Sequence, residues 1–132
     1  LQMRIESFDL LKELQLYHSD ASIALGDFNL NSKDDLKEGV YKNQEDQWYV
    51  AHREGCLSCK GSYYYSYGKS WDFLDTIFVS RDRGVSFDKD SINVLKTDFN
   101  TYKESGKPHR FDPKTKKGVS DHFPMVARIN LN

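Results

Sequence analysis

The segment Ala21–Gly26 places the tightest limit on how this chain can fold. Written as a strand, it carries Ile23 and Leu25 on one side and Ala24 on the other. A strand that is apolar on both sides predicts a central place in a sheet covered by a layer on each face. It runs straight into Gly26-Asp27-Phe28-Asn29, where the glycine permits a sharp exit and two polar side chains are delivered to the strand end.

The remaining elements fit around that strand. Residues 3–17 read as a helix with two apolar stripes, Met3, Leu10, Leu11, Leu14 and Tyr17 on one face and Ile5, Phe8 and Leu16 on another. Such a helix expects cover on both sides. Residues 31–46 are polar and loop-like, with a short helix around 34–38, and 48–53 fits helix or strand. Segments 63–67 and 73–80 read as strands joined by a turn at Gly68 and Lys69, and 91–96 as a further strand. Residues 100–118 form a long basic loop. Phe123, Met125, Ala127, Ile129 and Leu131 alternate along a last strand with one core face. One helix followed by four or five strands predicts an α+β fold, mainly antiparallel, with helix on one face. At 132 residues the chain is long enough for a single domain.

Charge excludes one class of function. The net charge of −1 provides no global basic field to hold nucleic acid non-specifically. Locally, Lys107, His109, Arg110, Lys114, Lys116 and Lys117 crowd the loop that leads to Ser120. No apolar run approaches the ~18 residues of a membrane span.

Three short stretches carry the chemistry. Asp75 lies on the same side of its strand as Phe73, Ile77 and Val79, where an ionised carboxylate is costly unless it is paired. An edge-strand Asp facing water is the plain reading; a carboxylate that orients a histidine is the sharper one. His122, preceded by Asp121 at the mouth of the last strand, is the natural partner. Asp27 and Asn29 sit at the end of the first strand, where turn chemistry alone also accounts for them. Phosphate-ester hydrolysis needs charge neutralisation, an oriented water and help for the leaving group. Carboxylates, an amide and an imidazole supply those parts, and Mg²⁺ suits oxygen ligands of this kind.

Gly26-Asp27-Phe28-Asn29, Trp71 through Ser80 with Asp75 inside, and Gly118-Val119-Ser120-Asp121-His122 with Pro124 after it resemble the endonuclease/exonuclease/phosphatase superfamily, in that order along the chain. The resemblance implies the C-terminal half of a four-layer α/β/β/α sandwich, residues 1–132 being one such portion with the N-terminal half absent. It implies that Asp27 activates or orients the attacking water, that Asn29 positions water and phosphate, and that Asp75 supports His122. His122 then stabilises the pentavalent phosphorus centre, and Asp121 with Asp27 lies at a divalent metal, Mg²⁺ or Mn²⁺. Further metal ligands are expected before residue 1, so the isolated fragment is expected to be inactive. The substrate is a phosphate ester, either nucleic acid or a phosphorylated lipid or inositol, and Lys114, Lys116 and Lys117 are candidates to touch its phosphates. A sheet face left without the missing half, carrying strand residues of the 73–79 or 123–131 set, is expected to be an exposed apolar patch that drives self-association.

Two rivals come from other classes. A non-catalytic binding or scaffold module keeps the sheet and loses the chemistry. A zinc-stabilised interaction domain uses His52, Cys56 and Cys59, with His18 or His109 as a fourth ligand. Free thiols are preferred here over zinc, and a disulfide is the third possibility.

Overall fold

A computed structural model describes residues 1–132. Helix α1 (Gln2–Tyr17) precedes strand β1 (Ile23–Asp27). Helices α2 (Ser32–Glu38) and α3 (Val40–Gln44), strand β2 (Trp48–Val50) and the single turn α4 (Ala51–Glu54) follow. Strands β3 (Tyr63–Tyr65), β4 (Ser70–Asp72), β5 (Asp75–Ser80), β6 (Val85–Val94) and β7 (Met125–Leu131) complete the chain. The fold is α+β with antiparallel pairing throughout. No helix is long and apolar enough to cross a membrane.

Strand β5 organises the molecule. It lies in the middle of the sheet β1-β5-β2, and its two sides feed two separate cores. Phe78 points into a cluster with Phe8, Leu30, Val40, Tyr41, Trp48 and Val50, capped by α1 and α3. Ile77 and Val79 point the other way, against Val85, Phe87 and Ile92 of the β6–β7 hairpin. The hairpin therefore forms a second layer beneath the sheet while the helices form a layer above it.

This arrangement corrects the reading of the first strand. β1 lies at the sheet edge, because β5 occupies the centre. Its cross-strand partners run Ile23 to Val79 and Leu25 to Ile77, so these side chains share one face. The hairpin covers Ile77 and Val79 but stops short of β1, leaving Ile23 50% and Leu25 70% exposed. Only the Ala24 side is packed under the helices. The helix behaves similarly: Ile5, Phe8 and Leu11 pack inward, while Met3, Leu10, Leu14, Leu16 and Tyr17 are exposed.

Three further expectations change. The tyrosine strand pairs with Ser70–Asp72 rather than with Phe73–Ser80. Residues 48–53 split between β2 and α4. The strand expected at 91–96 begins at Val85 and pairs along β7, with a register irregularity between Asp88 and Asn93.

Candidate functional site

The ends of β1 and β5 meet the loop before β7 at one rim of the sheet. Asp27 and Asp75 are directly opposed across the β1–β5 ladder, so both carboxylates project from the same face. His122 arrives from the far end of the chain and places Nδ1 2.7 Å from Asp75 Oδ2. The carboxylate accepts this bond, so Nδ1 carries the proton and Nε2 is the nitrogen left for another partner. Both side chains are about four-fifths buried, with 20% and 23% exposure. Ligand atoms of Asp27, Asp75 and His122 all lie within 4.8 Å of one another.

Local geometry explains why these groups converge. Asp27 Oδ1 accepts the Asn29 backbone N–H at 2.8 Å, an Asx turn that bends the chain out of β1. Asn29 takes φ of 51°, a left-handed conformation that asparagine tolerates better than most residues. On the β5 side the fully buried Ser62 is the clamp. Its Oγ accepts the Asp75 N–H at 3.1 Å, and its carbonyl accepts the Phe123 N–H at 2.7 Å. One residue thus ties the carboxylate's backbone to the neighbour of its histidine. Tyr63, next along, bridges to His122 and lays its ring 4.9 Å from the imidazole.

Asp27 and His122 open onto a cleft of about 1260 Å³. Asn29 and Asp121 line it as well, so four of the five sequence-derived candidates share one cavity, and Asp75 stands behind His122. Asp121 is not within the 4.8 Å cluster and lies farther along the wall. The basic residues depart from expectation. Lys114, Lys116 and Lys117 are exposed on the loop and do not line the cleft, since that loop folds back on itself through the Asp112–Lys117 bridge. Lys33 and Lys37, on α2, line it instead. Their placement depends on Asp72, whose buried Oδ1 accepts the Ser32 N–H at 2.9 Å and fixes the start of that helix. Neither lysine stands in a motif, so only the register of α2 against Asp72 identifies them.

The proposed zinc set does not assemble. Cys56 and Cys59 form a disulfide, which removes both thiolates as ligands. His52 lies on the opposite side of the sheet layer, its ring stacked on Phe73 at 4.9 Å and edge-on to Tyr41 at 4.5 Å. Its Nδ1 lies 2.8 Å from Thr76 Oγ1. Burial, with a smaller contribution from the Arg53 charge, pulls its pKa down to about 4. Burial likewise pushes the Tyr41 hydroxyl far above its ordinary range, with the Asp35 carboxylate adding to the effect.

The donor set can hold a hard cation. Two opposed carboxylates repel one another, and an oxygen-rich cleft wall with Asn29 and Asp121 suits a divalent ion that keeps several waters. Asp27, Asp75 and His122 are the donors near enough to one another to share an ion, and Asp121 lies farther along the same cleft. Comparison with protein-family profiles, with curated proteins and with solved structures finds no match for this chain.

Proposed function

We propose that this chain carries the hydrolytic groups of a metal-dependent phosphoesterase. The observation behind this reading is the Asp75–His122 hydrogen bond with the Asp27 carboxylate facing it across the strand pair. The resemblance of the three motifs to the endonuclease/exonuclease/phosphatase superfamily, which rests on these same residues, agrees with it. A water oxygen bonds to phosphorus while the ester oxygen departs with the bonding pair, and Asp27 takes the water's proton. Asn29 orients that water and the phosphate. His122, held by Asp75 at Nδ1, acts as an imidazolium whose Nε2–H donates to a non-bridging oxygen as negative charge builds there. Asp27 and Asp121 are the residues that would hold a Mg²⁺ or Mn²⁺ ion, which would supply positive charge to the phosphate when bound.

The test is Mg²⁺-dependent hydrolysis of bis-p-nitrophenyl phosphate by the full-length protein. Asp27→Ala and His122→Ala should each lower turnover by about a hundredfold or more. Turnover unchanged in both variants refutes the assignment. No hydrolysis by the parent protein, with binding retained, favours a non-catalytic module.

A further inference from the structure

A second groove, about 330 Å³, adjoins the cleft and shares Tyr63, Tyr65 and Asp121 with it. We propose that this groove is a track for a short single strand of nucleic acid leading into the hydrolytic centre, a substrate class that rests on the phosphoesterase reading. The groove is built from exposed aromatic rings interleaved with cations. Tyr67 is 92% exposed and its ring centre lies 5.9 Å from that of Tyr65. Across the groove Tyr102 stacks on His109 at 4.0 Å and remains 41% exposed. Lys107 Nζ sits 3.8 Å above the Tyr64 ring, and Arg110 lines the same wall.

Those residue types favour one ligand chemistry. A tyrosine ring left almost entirely in water gains nothing from core packing; flat rings along a concave path offer stacking surfaces to unpaired bases of any sequence. Lys107 and Arg110 supply charge for one or two phosphates. A duplex, with its dense phosphate rows, calls for a wide basic face that a chain of net charge −1 lacks. An inositol phosphate has no π face and leaves the tyrosines unused. Lys33 and Lys37 on the opposite cleft wall give a strand further phosphate partners beyond His122.

Binding tests this without relying on catalysis. Anisotropy of a fluorescein-labelled short oligothymidylate is followed in EDTA, where the probe stays intact. Tyr67→Ala should weaken binding by about tenfold or more, the effect of losing one stacking platform. Arg110→Gln should make the plot of log affinity against log salt shallower by about 0.7, the loss of one phosphate contact on a single strand. Because Tyr67 and Arg110 stand outside the cleft, turnover of bis-p-nitrophenyl phosphate should stay within about twofold in both variants. Equal affinity in Tyr67→Ala and parent overturns the proposal. So does displacement of the probe by inositol hexakisphosphate, or by vesicles containing phosphoinositides, as effective as displacement by unlabelled oligothymidylate. Tyr67-dependent oligonucleotide binding in a full-length protein that fails to hydrolyse the small diester supports the track while refuting the hydrolase reading.

Discussion

His52→Phe should flatten the acid limb of the stability curve. The imidazole lies between Phe73 and Tyr41 and resists protonation until about pH 4, held there by burial first and the Arg53 charge second. In the unfolded chain the same ring titrates near its ordinary value of 6.5. Above that value both states are neutral and the group contributes nothing to pH dependence. Below it the unfolded chain takes up a proton that the folded protein refuses, so stability falls with pH until the folded ring also protonates. At pH 4.5, two pH units below the unfolded value, the loss is roughly 2.7 kcal/mol. Phenylalanine keeps the ring stack and removes the titration. It sacrifices the contact with the buried Thr76 hydroxyl, at a pH-independent cost of about 1 kcal/mol. Urea unfolding of both proteins at pH 7.5 and 4.5 isolates the effect, because every other titrating group is common to the two. The variant should lose about 2–3 kcal/mol less than the parent between those pH values. Equal losses would show that His52 is not buried as a neutral ring.

Asp75→Asn keeps the shape of the pair but removes the charge that holds the His122 tautomer. It should lower turnover of bis-p-nitrophenyl phosphate by about a hundredfold or more, and full retention would strip Asp75 of its role. Gly118→Ala tests the loop that delivers His122. Gly118 has φ of +79°, and a Cβ there would meet the Arg110 carbonyl and lie 2.6 Å from the His109 carbonyl oxygen. A loss of about 2 kcal/mol or more in urea unfolding is expected, and an unchanged midpoint would show that the loop yields freely. The hairpin buries Ile77 and Val79, so the apolar patch expected on that strand lies instead on β1, and Leu25→Lys tests self-association through it. Light scattering should show the parent larger than a monomer and the variant monomeric; a monomeric parent defeats the idea.

Much of the fold was legible where a single period runs uninterrupted. The last strand is such a case: its alternating Met125, Ala127 and Ile129 all pack against the β5 layer. Strand β6 hides for the opposite reason. Its buried residues are Val85 and Phe87, then Ile92 and Val94, so the phase switches from odd to even positions across the irregularity after Asp88. Neither half alone is long enough to read as the ten-residue strand it forms. Helix α3 is obscured by its polar surroundings, although Val40, Tyr41 and Gln44 recur on one helical face and are buried. The place of β1 could not be read from its composition, because two apolar sides describe what a strand could bury and not which layers reach it.

The candidate site was legible for a different reason, and that reason sets its fragility. Strand parity puts Asp75 on the face with Ile77 and Val79, and parity is a property of the local chain alone. Bringing Asp27 opposite and His122 within 2.7 Å needs the long-range register of β1 on β5 and the Ser62 clamp, which no local pattern encodes. A slip of one residue between β1 and β5 would turn Asp27 to the helix side and bring Leu25 or Ile23 with it, away from the hairpin layer. Directly opposed aspartates disfavour the observed register by themselves. It is held instead by Ala24 packing under the helices, by the Phe28 N–H donating to the Leu74 carbonyl at 2.8 Å, and by the Ser22–Ser80 contacts at the strand's other end. The opposition of the two carboxylates is therefore imposed by apolar packing and backbone pairing, and the His122 Nδ1–H donating to Asp75 is the hydrogen bond that the chain itself brings to the pair.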